Sequence, residues 1–436
     1  MTTMSIPLQF GGVLRHWRKR RGVTQQQLAD LSTVSVRAIR DLEMGRVAQP
    51  RQDTVRLICD GLGLTGRARA EFHAAATRPD DAPDWWHEPP DLPPAYDRLI
   101  GRTAELADLG EALAGGQRLT ALVGVAGVGK TRLALEVAAD CYDRYRLPVL
   151  WSAYAGPPAN PTVTLIRAAL GAGVAPVAAV SAADQLGAVI GDRDAVIVCD
   201  GYDASTLDVA ALTGLLRACR GLRIVVTSRT PIPAGGVFAL PLAPLPVPPD
   251  GLDPAALREI DSVRLLLHHA RRSGAEPCLS AGNADTVAAL CRRLDGLPAA
   301  LAGAASWLLF YDPAALLDRV EADPFAVIGE PATGSELRGA LRTSVRDLPP
   351  QEQALLAALT DLGGTFSISR AATVAGLPAQ WCARLARNLS VRGLLRPQPH
   401  PPGTEPRFAV PFLVRHAAQT AGDLPGQPPM IAAARS

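Results

Sequence analysis

Residues 119–131 of the chain read LTALVGVAGVGKT. The first five are apolar or β-branched, as in a buried strand, and residues 124–131 match the pattern G-x-x-x-x-G-K-T. A helix is predicted to follow over Arg132–Ala139. In this context a glycine-rich turn binds phosphate, because its backbone N–H groups surround the phosphate oxygens and the helix start adds a positive dipole end.

The turn predicts a nucleotide site with Mg²⁺. Lys130 is expected to bind the β- and γ-phosphates and Thr131 to hold the ion. The other residues of this stretch that we expect to contact ATP or ADP are Gly124, Gly127, Val128, Gly129 and Arg132. The alternative is a glycine-rich strand-to-helix turn with no ligand.

A second strand candidate, Ala195–Cys199, ends at Asp200. A phosphate-binding loop needs such a carboxylate to hold the Mg²⁺ shell, so Asp200 is our second metal-binding residue. The next residue is Gly201, where hydrolytic proteins of this kind commonly carry another acid. Asp203 is displaced from that position by two residues, so the sequence supports nucleotide binding better than turnover.

A third strand candidate, Leu222–Val226, runs into Thr227-Ser228-Arg229. Beside the Asp200 strand, its C-terminal end would direct Arg229 toward the γ-phosphate. We therefore assign catalytic roles to Lys130, Asp200 and Arg229, the alternative for Arg229 being an exposed residue at a strand end.

Composition divides the chain into segments. Residues 1–76 predict only helices, over Phe10–Arg20, Thr24–Leu31, Ser35–Met44, Thr54–Leu62 and Arg67–Ala76. Residues 77–98 are rich in Pro and Asp and predict a linker. Residues 99–245 alternate apolar runs with helical segments, as parallel α/β domains do. Residues 246–325 are predicted to be helical, and residues 326–436 to be helical with a strand at Arg407–Val410 and a hairpin at 397–406.

The central segments resemble the NB-ARC module of the signal-transduction ATPases with numerous domains, over roughly residues 99–420. Besides the motifs above, the resemblance rests on LIGRTAE (99–105) and GLPAAL (296–301). It implies an α/β P-loop ATPase with a parallel sheet over 99–245, a helical lid over 246–325 and a winged-helix domain over 326–436. It also implies adenine-end contacts from Ile100, Gly101, Arg102 and Pro298.

The chain departs from the family pattern at several positions. Gly201 replaces the usual second acid or amide, and Ala299 replaces a leucine. In the segment that corresponds to the Met-His-Asp motif, Pro411 and Phe412 occupy the places of His and Asp. His416 is displaced and is expected on a helix surface, so the usual contact from this domain to the β-phosphate is not expected.

Residues 14–50 resemble a Cro/repressor-type helix-turn-helix. Thr24 is predicted to cap the second helix in a capping box with Gln27, and Ser35 to begin the third. The residues predicted to pack these helices are Leu28, Ala29, Leu31, Val34, Ile39 and Leu42. Thr33 stands where the family usually has a glycine with positive φ, a region that β-branched residues avoid, so we expect the turn to be either strained or differently wound.

The start of the third helix is predicted to enter the DNA major groove. Ser35, Val36 and Arg37 would face base edges, with Arg37 suited to guanine and Val36 to a thymine methyl. Residues 1–76 carry twelve Arg or Lys and six Asp or Glu, a net charge of +6, which favours binding to double-stranded DNA. The residues assigned to phosphates are Gln25, Arg40, Arg46 and Arg51.

Whole-chain composition excludes a disordered, collagen-like or coiled-coil protein, since 20% of residues are charged and 48% hydrophobic. No apolar stretch reaches the roughly 18 residues of a membrane helix, and the N-terminus does not resemble a signal peptide. The seven scattered cysteines predict reduced, buried thiols in a cytoplasmic protein. Of 44 basic residues only Lys19 and Lys130 are lysine.

Three hypotheses follow for function. The first is a transcriptional regulator in which ATP or ADP in the NB-ARC-like module controls DNA binding; a single helix-turn-helix binds weakly, so we expect a homo-oligomer or a palindromic site. The second is an ATP-dependent signalling or defence scaffold that uses the helix-turn-helix for protein contacts. The third, based on Gly201, is a regulator that binds nucleotide without hydrolysing it.

Overall fold

The structure, a computed structural model, describes residues 10–44, 50–65, 68–69, 72, 90–95, 97–145, 147–154, 183, 186–187, 190–275, 279–328 and 333–419. The chain forms two compact units, Met1–His87 and Glu88–Ser436. Most of the predicted linker, residues 77–89 and 96, lies outside the described residues, as does most of the helix predicted over Arg67–Ala76.

The N-terminal unit is helical, as predicted. Its helices are α1 (Phe10–Arg20), α2 (Gln25–Ser32), α3 (Val36–Glu43) and α4 (Gln52–Gly61). The predicted packing residues are buried except Leu31, which is 59% exposed. On α2 the buried face consists of Leu28, Ala29 and Ser32, which span about 100° of the helix, and Leu31 lies about 60° beyond that arc. The core also contains residues that we did not predict, among them Leu14, Val55, Ile58 and Phe72.

The two predicted helix starts are confirmed. The Thr24 hydroxyl accepts a hydrogen bond from the Gln27 amide at 3.1 Å, and the Gln27 side chain accepts one from the Thr24 amide at 2.8 Å. Ser35 caps α3 by accepting from the Ala38 amide at 3.2 Å. Between the helices, Thr33 lies in the left-handed region with φ 57° and ψ 18°, so of the two alternatives the turn takes the strained one.

Thr33→Gly is expected to stabilise the N-terminal unit by about 1 kcal/mol, because an L-residue with a Cβ loses roughly 1–2 kcal/mol in the left-handed conformation and glycine does not. The gain is partly offset by the entropy of glycine in the unfolded chain. Denaturant unfolding of the two proteins measures the difference. A glycine at Thr54, within α4, should instead lower stability by about 0.5–1 kcal/mol; a destabilising Thr33→Gly would contradict the prediction.

The second unit is built on a parallel sheet. Its strands are β1 (Leu119–Val123), β2 (Val149–Ala153), β3 (Ala195–Asp200), β4 (Leu222–Ser228) and β5 (Phe238–Pro241), in the order β2-β3-β4-β1-β5. The strands β1, β3 and β4 follow the sequence expectation, and β2 is one of the apolar runs expected in residues 99–245. We did not predict the short edge strand β5, whose residues are mostly exposed and do not alternate between buried and exposed positions.

Helices flank this sheet and follow it in sequence. They are α5 (Thr103–Ala114), α6 (Lys130–Tyr145), α7 (Val209–Ala218), α8 (Pro254–Arg258), α9 (Asp261–Arg272), α10 (Ala284–Arg293), α11 (Pro298–Ala305), α12 (Pro313–Ala322) and α13 (Pro324–Ile328). A 3-10 helix, Ser306–Leu309, follows α11. No helix in the described ranges is long and apolar enough to cross a membrane.

The C-terminal part combines helices with a small antiparallel sheet. It contains α14 (Thr333–Arg346), α15 (Pro350–Leu362), β6 (Phe366–Ser367), α16 (Ile368–Ala375), α17 (Ala379–Val391), β7 (Arg396–Gln398), β8 (Arg407–Ala409) and α18 (Phe412–Gln419). The strand order is β6-β8-β7, and β7 and β8 form the predicted hairpin. The winged-helix assignment of this part stays a prediction.

Buried apolar side chains from α5 to α18 form one continuous cluster in the second unit. The six cysteines in the described part of the chain are free and buried, as expected, and Cys278 lies outside it.

Candidate phosphate-binding and DNA-binding sites

The predicted phosphate-binding residues lie where three neighbouring parallel strands end. β4 pairs with both β1 and β3, so the turn after β1, Asp200 at the end of β3 and Arg229 after β4 share one edge of the sheet. Ligands of open parallel sheets bind at this edge. The N–H groups in the first turn of α6, which begins at Lys130, have no acceptor within the helix.

The side chains of Thr131 and Asp200, the two predicted Mg²⁺ ligands, are in direct contact. The Thr131 hydroxyl donates to Asp200 Oδ1 at 2.8 Å, and the Thr227 hydroxyl donates to the same oxygen at 2.6 Å. No group of three or more His, Cys, Asp or Glu side chains in the described segments could hold a metal. The donors present suit Mg²⁺, which typically uses one or two protein oxygens together with substrate phosphates and water.

Lys130 is packed within the turn. Its Nζ donates to the carbonyl oxygens of Gly124 at 2.9 Å and Val125 at 3.1 Å. Burial lowers the pKa of Lys130 from 10.5 to about 8, the charges of Asp203 and Asp200 raise it, and that of Arg229 lowers it. The ammonium therefore lacks a full complement of negative charge, which phosphate oxygens would supply.

The glycines of the turn allow a neighbouring segment to approach. Gly127 has φ 77°, and a Cβ there would lie 2.9 Å from the Cβ of Ala299. The Ala299 amide donates to the Gly127 carbonyl at 3.1 Å, and Pro298 lies 3.9 Å from the Cβ position of Gly129. The structure thus brings the start of α11 against the predicted phosphate-binding turn, and the resemblance implies that Pro298 of this helix contacts adenine.

Two predicted nucleotide-binding arginines are occupied by protein groups. Arg102 is 4% exposed; its guanidinium donates to the carbonyls of Val128 at 3.1 Å and Ala243 at 2.7 Å, and to Glu105. Arg132 donates to the Asp97 carbonyl at 2.7 Å and to Glu136 at 2.6 Å. Both side chains fasten flanking segments to the turn.

Other residues predicted to contact the nucleotide also pack against protein. Ile100 is half-buried, and a Cβ on Gly101 would lie 2.6 Å from Asp261 at the start of α9. Val128 is fully buried, so its contribution to a ligand is confined to its backbone.

The backbone conformation at the end of β3 explains why Gly201 stands at the position where a second acid was expected. Gly201 has φ 77°, a conformation that side chains rarely adopt, and its amide donates to the Thr227 hydroxyl at 2.8 Å. The chain then turns so that Asp203 reaches Arg229, whose Nε donates to Asp203 Oδ2 at 2.9 Å. Arg229 therefore lies at the expected edge but is held by a carboxylate.

Asp295 is a buried residue that the sequence analysis missed. It is 6% exposed, has φ 54°, and directly precedes the Gly-Leu-Pro segment. Its carboxylate accepts hydrogen bonds from the amides of Phe412 at 2.9 Å and Leu413 at 2.7 Å. Phe412, in the place of the family's aspartate, thus contributes a backbone contact. The only sequence signal was an acid in a turn before Gly-Leu-Pro.

His416, which we expected on a helix surface, is partly buried on α18, and its ring lies 4.4 Å from that of Phe412. Burial lowers the pKa of His416, Asp323 raises it, and nearby arginines lower it. Its exposure is lower than expected because the ring of Phe412 covers it.

The N-terminal unit presents a basic depression of 630 Å³ at its predicted DNA-binding face, lined by Arg18, Lys19, Gly22, Val23, Thr24, Gln25, Gln26, Val36 and Arg40. Arg37 is 93% exposed, and Arg40 and Arg51 are exposed. Val36 is half-buried and Ser35 is used as the cap of α3. Arg46 lies outside the described residues.

Gln25 is engaged within the unit. Its amide donates to Glu43 Oε2 at 2.8 Å, and Arg18 binds the same carboxylate at 2.6 and 3.0 Å. Burial would raise the pKa of Glu43, but hydrogen bonds from Arg18 and Gln25 hold it below its ordinary value. This contact fixes α1 and the start of α2 relative to the end of α3.

Comparison with known proteins assigns the N-terminal region. Residues 9–72 match the family model of a helix-turn-helix domain. An uncharacterised protein of Mycobacterium tuberculosis is 30% identical over 286 residues, which cover 63% of this chain and 68% of that protein. A candidate HTH-type transcriptional regulator of the same organism is 30% identical over 270 residues, 61% of this chain but 29% of that protein.

Solved structures share less with the chain. A signal-transduction ATPase with numerous domains from Pyrococcus horikoshii, which carries a tetratricopeptide-repeat sensor, aligns with 14% identity and a TM-score of 0.31. The alignment covers 76% of this chain and 44% of that one. The NtrX protein of Brucella abortus in complex with ATP aligns with 16% identity and a TM-score of 0.30, over 78% of this chain and 76% of that chain.

Proposed function

The chain belongs to the same family as the uncharacterised mycobacterial protein that it matches at 30% identity, and we propose that it is a transcriptional regulator whose nucleotide state controls DNA binding. One observation carries this proposal: a helix-turn-helix domain is fused to a sheet edge that assembles Lys130, Thr131 and Asp200. A nucleotide that binds two conformations with different affinity supplies the free energy of such a switch.

In the second unit, Lys130 and the backbone of Gly124, Gly127, Val128 and Gly129 would bind the phosphates of ATP or ADP. Thr131 and Asp200 would hold Mg²⁺, which neutralises charge on the phosphate oxygens when bound. Ile100, Gly101 and Pro298 would line the part of the site that holds the adenine base. Arg102 and Arg132 would act by holding the flanking segments in place. Arg229 would sense the γ-phosphate.

In the N-terminal unit, Ser35, Val36 and Arg37 would face base edges in the major groove of double-stranded DNA. Gln25, Arg40, Arg46 and Arg51 are proposed to contact phosphates. We further propose a cytoplasmic protein that binds DNA as a homo-oligomer or at a palindromic site. Turnover of ATP would be slow, because Gly201 supplies no acid.

Arg37→Ala tests the DNA-binding assignment. The full chain should enrich a preferred sequence from a pool of random DNA duplexes, and the variant should bind that duplex about tenfold or more weakly, since a bidentate contact to a base contributes roughly 1–3 kcal/mol. Binding to unrelated duplexes should change far less. Dissociation constants measured at two salt concentrations separate this loss from general electrostatics.

Arg144→Ala is the matched control. Arg144 is exposed and faces Asp140 four residues away at 3.5 Å, as Arg37 faces Asp41 at 3.9 Å, but it lies on α6 of the second unit. It should leave DNA binding unchanged. Nucleotide-dependent oligomers with no affinity for DNA would refute the regulator and favour the scaffold.

A further inference from the structure

We infer that Asp203 competes with the γ-phosphate of a bound nucleotide for Arg229, and that this competition sets the preference of the site for a nucleoside triphosphate over a diphosphate. The inference rests on the proposed nucleotide site and identifies the residue that regulates it.

Asp203 binds Arg229 through several atoms. Asp203 Oδ1 accepts the Arg229 amide at 2.8 Å and the Ser228 hydroxyl at 3.2 Å, and Oδ2 accepts Arg229 Nε at 2.9 Å and also Nη2. The Asp203 side chain is 14% exposed and the Arg229 side chain is 31% exposed. Two nitrogens of the Arg229 guanidinium therefore donate to a single carboxylate oxygen, a charge-assisted contact of the kind that arginine also makes to phosphate.

The pair lies within electrostatic reach of the phosphate-binding lysine. After burial, the largest influences on the pKa of Lys130 are the charges of Asp203 and Arg229, followed by that of Asp200. While the pair is closed, the charge of Arg229 is compensated and adds little attraction for phosphate. A γ-phosphate offers the guanidinium an alternative acceptor with more negative charge, whereas a diphosphate does not reach as far.

The backbone around Asp203 is fixed independently of its carboxylate. The Asp203 amide donates to the Thr206 hydroxyl at 2.9 Å, and its carbonyl accepts the amides of Thr206 and Leu207, each at 2.9 Å. Asp203→Asn, which keeps the shape and one acceptor oxygen, should therefore weaken the hold on Arg229 without rearranging the turn.

The test compares affinities of the full chain for ADP and for a non-hydrolysable ATP analogue, by calorimetry with Mg²⁺ present. Asp203→Asn should raise the preference for the triphosphate about tenfold, the effect of one charge-assisted contact. Arg229→Ala should remove most of the wild-type preference, and adding Asp203→Asn to it should change nothing further. Asp208→Asn is the control, since Asp208 caps α7 through the Ala211 amide at 2.9 Å and does not bind Arg229.

A second measurement needs no variant. In the wild-type chain, the NMR chemical shift of the Arg229 Nε–H, which donates to Asp203 Oδ2, should change with the triphosphate analogue and stay near its ligand-free value with ADP, because the γ-phosphate replaces that acceptor. An unchanged triphosphate preference in Asp203→Asn, with both nucleotides still bound, or the same Nε–H shift with both nucleotides would overturn the inference alone. A wild-type chain that binds neither nucleotide would overturn the proposed site as well.

Discussion

Lys130→Met is expected to lose most of its nucleotide affinity and at the same time to stabilise the ligand-free protein. The variant keeps the apolar stem and removes the ammonium, the only group in the turn with a full positive charge. Loss of charge-assisted contacts to two phosphates should weaken ATP and ADP binding about 100-fold or more. Titration with fluorescent nucleotide analogues measures this loss.

The stability gain follows from the pKa of Lys130, which burial lowers from 10.5 to about 8. Below pH 8 the folded protein carries a buried charge that the unfolded chain hydrates at no cost, so removing it should stabilise the folded state by about 1–3 kcal/mol. Between pH 8 and 10.5 the unfolded chain binds the proton more tightly, so wild-type stability rises with pH. The advantage of the variant should therefore shrink over that range.

Lys19→Met controls both measurements. Lys19 is the other lysine of the chain and is exposed on α1. Lys19→Met should therefore leave both the nucleotide affinity and the free energy of unfolding above pH 8 as they are in the wild type. If Lys130→Met binds nucleotide as the wild type does, the phosphate-binding assignment is wrong.

The predictions that succeeded rest on local patterns and on one rule of parallel sheets. The strands ending at Val123 and Asp200 are short apolar runs, and because parallel strands end at one edge, their C-terminal residues were expected to meet. The positive φ of Thr33 was considered because of the helix-turn-helix resemblance, whereas the capping box of Thr24 depends on residues three positions apart. Such features are visible in sequence because the chain itself brings their members together.

The features that we missed depend on long-range approach. Asp203 was judged by its distance in sequence from the usual acid, but the turn at Gly201 and the pairing of β3 with β4 bring it to Arg229. Arg102 was expected to face a ligand, yet it meets a carbonyl 141 residues away. Sequence shows that such residues carry charge, but only the fold shows what their charges meet.

Asp295→Ala is expected to destabilise the second unit by about 2–4 kcal/mol, because it leaves the amides of Phe412 and Leu413 without their acceptor at the start of α18. Leu413 is fully buried, and an unsatisfied buried donor costs about 1–3 kcal/mol. Arg396 would also lose a charge opposite it, although its hydrogen bond to the Asp295 carbonyl, at 3.1 Å, can remain. Denaturant unfolding at pH 7 measures the loss.

The loss should grow in acid. Burial raises the pKa of Asp295 to about 6, while the two backbone amides and the charges of Arg396 and Arg415 lower it. A raised pKa means that the folded state binds the proton more tightly than the unfolded chain, so the wild type gains stability as pH falls from about 7 toward 4. The alanine variant lacks the carboxyl group and lacks this gain, so the difference should be larger at pH 5 than at pH 7.

Asp312→Ala separates this contact from ordinary helix capping. Asp312 is an exposed aspartate that caps its own helix, α12, through the Ala315 amide at 2.8 Å, and its loss should cost about 1 kcal/mol. Asp295 instead lies directly before the Gly-Leu-Pro segment and binds the start of α18, 117 residues later in the chain. Because the amides of Phe412 and Leu413 would lose their acceptor, Asp295→Ala should also accelerate hydrogen exchange at these two residues. If Asp295→Ala and Asp312→Ala lowered the free energy of unfolding equally, Asp295 would act only as an ordinary helix cap.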